Sequence, residues 1–248
     1  MENEKLPADT LAVNQNEIPN VPKKTVHSNE KVTEVKTFFK DDLLKIVKSI
    51  FTEPIKGTLA IFTNAEARAY SQALILIATT LLIYTIVPYL MVGSQVRDYM
   101  GFGPFFKLGL SVALILVIIS SLAFGVKAIS GKPDFKKELL TGGLCGIPLM
   151  IFIIIVALFA AFKGDGFRYG NPQSFLDQGI FLLMITLYLM LMLFNIVQQS
   201  FKASGTNDAL SWYLSPLVIF LAFYIGVKIA MSIFGSSYGY HNNSLFGY

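Results

Sequence analysis

The side chains able to do chemistry are few and scattered. There are two histidines, His27 and His241, and one cysteine, Cys145. No pair of cysteines exists to close an internal disulfide or a Cys-x-x-Cys zinc site. His241 has no carboxylate close by in the sequence to orient it. The sequence carries no His-Glu-x-x-His, no Gly-x-Ser-x-Gly, no phosphate-cradling glycine loop and no paired Asp within an apolar run. These are the sets that hydrolysis, metal catalysis and phosphoryl transfer require. The reading is therefore non-enzymatic, with no catalytic residue, no metal and no cofactor. Two lysines stand out instead. Lys228 and Lys107 fall inside apolar stretches, where a cation either snorkels to the interface or meets an anion or lipid headgroup.

The elements that carry these residues are set by hydropathy. Of the residues, 54% are hydrophobic and 15% charged, against about 25% charged in soluble domains. A helix needs roughly 20 apolar residues to cross the hydrocarbon core. Five runs reach that length, at about 70–91, 104–124, 139–162, 175–197 and 212–234. They do not alternate as barrel strands do. The expected fold is all-α: a polytopic bundle of five transmembrane helices over residues 63–235, with a short external tail at 236–248. Thr63 with Glu66, Ser174 with Asp177, and Thr206 to Asp208 read as helix starts, and Pro104 as a first-turn proline.

Basic residues set the expected sidedness. With the N-terminus inside, the inner segments 1–69, 125–138 and 198–211 hold ten, four and one Lys or Arg. The outer segments 92–103, 163–174 and 235–248 hold one, two and none. This predicts a cytoplasmic N-terminus and an external C-terminus. Met1 is followed by Glu2 and Glu4 rather than by a basic then apolar leader. The first span is thus expected to serve as the targeting signal and to be retained.

Ahead of the spans the chain has two parts. Residues 1–35 are polar and proline-punctuated, and are expected to be disordered. Within 36–62, Phe39, Leu43, Ile46, Val47 and Ile50 recur at helical spacing, with Lys40, Lys45 and Lys48 opposite and Phe38, Leu44 and Phe51 widening the apolar face. This predicts an amphipathic helix, ended by Pro54, lying in the inner membrane interface. The same face also suits packing beneath the bundle, and one helix can do both.

Within the spans, Gly142 and Gly146 form a small-xxx-small pair that lets helices approach closely, inside the chain or between copies. Gly109 and Ala113 are a weaker pair. Ser120 and Ser121 are placed to hydrogen-bond across helices. Asn195, Gln198 and Gln199 close the fourth run and are expected to satisfy backbone or headgroup partners.

The order of a polar tail, an amphipathic segment ending Ile50-Phe51-Thr52-Glu53-Pro54, and five closely spaced spans resembles the Yip family of five-span proteins (Ypt/Rab-interacting proteins), in its prokaryotic branch. The nearest counterpart to the Asp-Leu-x-Gly-Pro type motif of eukaryotic members is Asp98, Gly101, Gly103 and Pro104, differently spaced and after the first span. Rab and coat-protein binding is therefore not implied. The resemblance implies a membrane scaffold or adaptor acting in membrane organisation or trafficking. Its partners are the lipid bilayer and other membrane proteins or further copies of itself, with no nucleic acid. A bacterial plasma (inner) membrane is the expected site, with Golgi or endoplasmic reticulum as the alternative. An oligomeric small-solute transporter or channel component is the other functional class compatible with the runs.

Overall fold

The computed structural model describes residue 33 and residues 35–64, 69–130, 133–163 and 172–235. Every element among them is helical: a π-helical turn at Phe38–Asp42, then α1 (Leu43–Thr52), α2 (Lys56–Asn64), α3 (Ala69–Met91), α4 (Ser94–Met100), α5 (Gly103–Ser130), α6 (Phe135–Lys163), α7 (Pro172–Ala203) and α8 (Asp208–Gly235). Five of these, α3 and α5 to α8, are long and apolar enough to cross a membrane. The chain is a multi-pass integral membrane protein whose long helices contact the bilayer. The tails at 1–32 and 236–248, Glu66, and the side chains of Ser174 and Asp177 lie outside the described residues.

The long helices pack as a bundle with α6 against α3, α5 and α7, and α8 against α5 and α7. Glycines set the closest approaches. A Cβ at Gly142 would strike Ser120 and the Leu116 carbonyl of α5, and one at Gly146 would strike Thr80 of α3. Gly143 sits over the Ala73 backbone. The Gly142/Gly146 pair is thus buried inside the chain and holds α6 to two neighbours. Gly109 likewise abuts Thr85 and the Leu81 carbonyl of α3. Ser120 and Ser121 do not bridge helices. Their hydroxyls donate to Leu116 O and Val117 O one turn back in α5, the local partner a helical serine finds most readily.

Polar termini are capped from nearby. Asp134 Oδ1 accepts the Lys136 N–H at 3.0 Å to start α6, and Asn207 Oδ1 accepts the Ala209 N–H at 3.0 Å to start α8. Between α7 and α8 the chain turns at Gly205, at φ 85°. There Thr206 N–H reaches Phe201 O and Gly205 N–H reaches Lys202 O, a Schellman closure. In α8, Pro216 cannot donate to Trp212 O, and the Ser215 hydroxyl takes that carbonyl at 3.3 Å.

The segment at 36–53 is not one regular α-helix. The Leu43 N–H reaches Phe38 O, five residues back. This wider turn places Phe38, not Phe39, in line with Leu43. Phe38, Ile46 and Ile50 are buried in the common core, with Leu43, Val47 and Phe51 packed on it. Phe39, expected on the apolar face, is 40% exposed and Leu44 68% exposed. Lys45 and Lys48 are exposed as expected. α1 packs on α2, and α2 packs on α7. Asn195 of α7 donates through Nδ2 to Pro54 O at 2.6 Å, pinning the elbow between α1 and α2. The end of the bundle carrying α1 and α2 is called the near end below, and the end carrying α4 the far end.

Candidate functional site

At the near end α5 runs about six residues and α6 about four residues further than hydropathy alone suggests. Hydropathy stops where polar side chains begin, whereas the helices continue through them. Those polar residues are the site. Lys127 lies in the last turn of α5 and Glu138 in the first turn of α6. The connection between them is short, and the two positions are equally far from its middle. An antiparallel hairpin therefore sets them at one level. Lys127 Nζ and Glu138 Oε2 are 2.6 Å apart, with both side chains 2% exposed.

The pair is embedded in hydroxyls from a third helix. Lys127 Nζ donates to Ser200 Oγ of α7 at 2.7 Å. Ser200 Oγ in turn shares a hydrogen bond with Thr141 Oγ1 of α6 at 2.5 Å. The Thr141 hydroxyl also reaches Lys137 O at 3.3 Å. The Lys127 ammonium lies 5.9 Å from the centre of the Phe201 ring, a cation–π distance. Burying two charges costs several kcal/mol each unless their geometry is close and the remaining donors are satisfied. Here the ion pair and the hydroxyls offset part of that cost, and they tie α5, α6 and α7 together.

Ser200 beside Lys127 has the composition of a Ser–Lys nucleophile and base. The arrangement suits another task. An ammonium facing a carboxylate donates protons and has no lone pair with which to take one from Ser200. Ser200 is also fully buried. The chemistry these four residues support is the holding of helices.

Next to the cluster, Gln199 Nε2 donates to Asn195 Oδ1 at 3.1 Å. This aligns the Asn195 amide that holds Pro54, so of the three polar residues closing α7 it is Asn195 that reaches the backbone. Lys202 and Asp208 meet at 3.1 Å across the Gly205 turn. That pair is open to solvent and adds little.

The other anticipated cations lie elsewhere. Lys228 is exposed on α8, with Nζ 5.9 Å from the Tyr224 ring centre. Lys107 is half-buried near the start of α5. Gly226 of α8 meets Ile115 of α5. This register leaves Lys107 about 9 Å further toward the far end than Lys228 at helical rise. Lys127 and Glu138 went unrecognised because each reads, alone, as a flanking loop charge. Their equal spacing from the turn was the legible signal. Cys145 is buried in α6. No family model, no curated protein and no solved structure matches this chain.

Proposed function

We propose that the protein is a non-catalytic membrane scaffold or adaptor of the Yip-like type, with its near end in the cytoplasm of a bacterial cell. One observation carries this reading: the ionisable groups inside the near end, Lys127 and Glu138, are consumed by each other and by Ser200. Transport paths keep their ionisable groups facing a wet cavity where they can change partners. A cross-tied bundle instead supplies a rigid platform. α1 supports the same role from outside the bundle. Its apolar side is packed on protein, while Lys40, Lys45 and Lys48 are exposed and offer a basic surface to anionic headgroups or an acidic partner.

Affinity purification of the intact chain from nanodiscs, paired with solute flux in vesicles, tests the reading. The expected result is a co-purifying membrane protein or second copy that is lost when Lys40, Lys45 and Lys48 are all changed to Glu, and flux no greater than in protein-free vesicles. Flux that rises in proportion to reconstituted protein would overturn it in favour of an oligomeric channel or transporter.

A further inference from the structure

At the far end, α4 joins α3 to α5 and presents one arginine. We propose that Arg97 and the aromatic platform beneath it form a binding site for the phosphate group of a lipid in the far leaflet. This inference depends on the chain spanning a membrane, not on the scaffold reading.

Depth is the first argument. α3 has 23 residues, about 34 Å at helical rise, close to the roughly 30 Å of hydrocarbon it must cross. Tyr89 lies two residues from its end, at the boundary with the headgroups. The guanidinium carbon of Arg97 stands 5.5 Å from the Tyr89 ring centre. Phe102 and Phe105 hold that ring edge-on at 5.5 and 5.4 Å. The cation is thus fixed by stacking at headgroup level.

Chemistry is the second. Arg97 is half-buried; its Nε is shielded and has no hydrogen-bond acceptor, so the terminal guanidinium nitrogens are the donors a lipid would meet. Asp98, its neighbour in sequence, is exposed. A planar fork of donors at this depth matches the two free oxygens of a phosphodiester, which it can bind with two parallel hydrogen bonds. Tyr99 is 92% exposed, and Met100 and Phe102 are exposed beside it. These side chains supply the apolar and aromatic flank on which glycerol and upper acyl carbons rest. The left-handed Gly101, at φ 64°, closes α4 with its N–H on Arg97 O at 2.8 Å. That bond fixes the backbone from which Arg97 projects.

The test reconstitutes the full chain in nanodiscs of phosphatidylglycerol mixed with a galactolipid of the same acyl chains. Lipid retained after transfer to detergent is then counted by native mass spectrometry. The expected result is retained phosphatidylglycerol in preference to galactolipid. Retention falls about tenfold in Arg97→Gln, the scale of a charge-assisted bidentate contact. It falls less in Arg97→Lys, which keeps the charge without the fork. Tyr89→Leu, which removes the platform, also lowers retention. Equal retention by wild type and Arg97→Lys together with Tyr89→Leu overturns the proposal even where Arg97→Gln fails to fold. Equal retention of galactolipid, or displacement of the lipid by millimolar inorganic phosphate, also overturns it, the latter by showing a soluble anion as the ligand.

Discussion

Lys127 and Glu138 pair at 2.6 Å with side chains 2% exposed, and the consequence is asymmetric. Removing one partner leaves an uncompensated buried charge, which typically costs about 3–5 kcal/mol. Replacing both by apolar residues removes the desolvation cost along with the attraction. Lys127→Met and Glu138→Leu alone should each lower stability in detergent by that amount, while the double variant should recover most of the loss. Thermal unfolding of the four proteins as a double-mutant cycle checks this. A purely additive result would show that the two side chains do not act as a pair. Ser200→Ala should cost less, about 1–2 kcal/mol, because the hydroxyl is one of several partners. At this scale the sequence showed the charges but not their meeting. Lys127 counts toward the inner positive charge, yet it is neutralised by a residue eleven positions on. Lys132, Lys136 and Lys137 remain to carry the sidedness bias of that segment.

Among the elements, two kinds of contact decide the packing. Glycines let α6 approach α3 and α5, and a Cβ at Gly146 or Gly142 meets a neighbouring side chain or backbone oxygen. Gly146→Val should therefore cost about 1–3 kcal/mol from overpacking, whereas Gly125→Val, in α5 and facing open space, should cost much less. Thermal shifts of the two variants make the comparison. α1 is held by a buried face instead. Ile50→Asp should free α1 and speed trypsin cleavage at Lys45 and Lys48, while Leu44→Asp, on the exposed side, should leave cleavage unchanged. Faster cleavage in Leu44→Asp than in Ile50→Asp would contradict the observed face. Of the eight anticipated apolar positions, Phe38, Leu43, Ile46, Val47, Ile50 and Phe51 were legible from a helical period, while Leu44 is exposed. Phe39 was not, because one π-helical turn shifts the register by one residue and brings Phe38 inward. Hydropathy located all five spans but stopped α5, α6 and α7 short, since a polar residue lowers hydropathy whether or not the helix continues.

For the whole molecule, the five long helices among the described residues alternate, so the first and last cross the bilayer in the same direction. The lengths agree with this. α5 and α6 have 28 and 29 residues, about 42–43 Å at helical rise, so they cross roughly 30 Å of hydrocarbon and extend past it. The overhang at the near end carries the ion pair and the elbow at Pro54. The ends of α5 and α7 and the starts of α6 and α8 lie at the end of the bundle that carries α1. The bundle was readable from the sequence because apolar length is a one-dimensional property. The near-end cluster was not, because it draws on three helices that only the fold brings together.

The most direct test of five crossings is a cysteine ladder in sealed vesicles, built on Cys145→Ala. Single cysteines replace Lys48, Tyr99, Lys136 and Asn207, all exposed, and a membrane-impermeant maleimide is added from one side. Labelling of 48, 136 and 207 from one face and of 99 from the other is the predicted outcome. Position 136 or 207 labelling together with 99 would contradict the alternation on which the account rests.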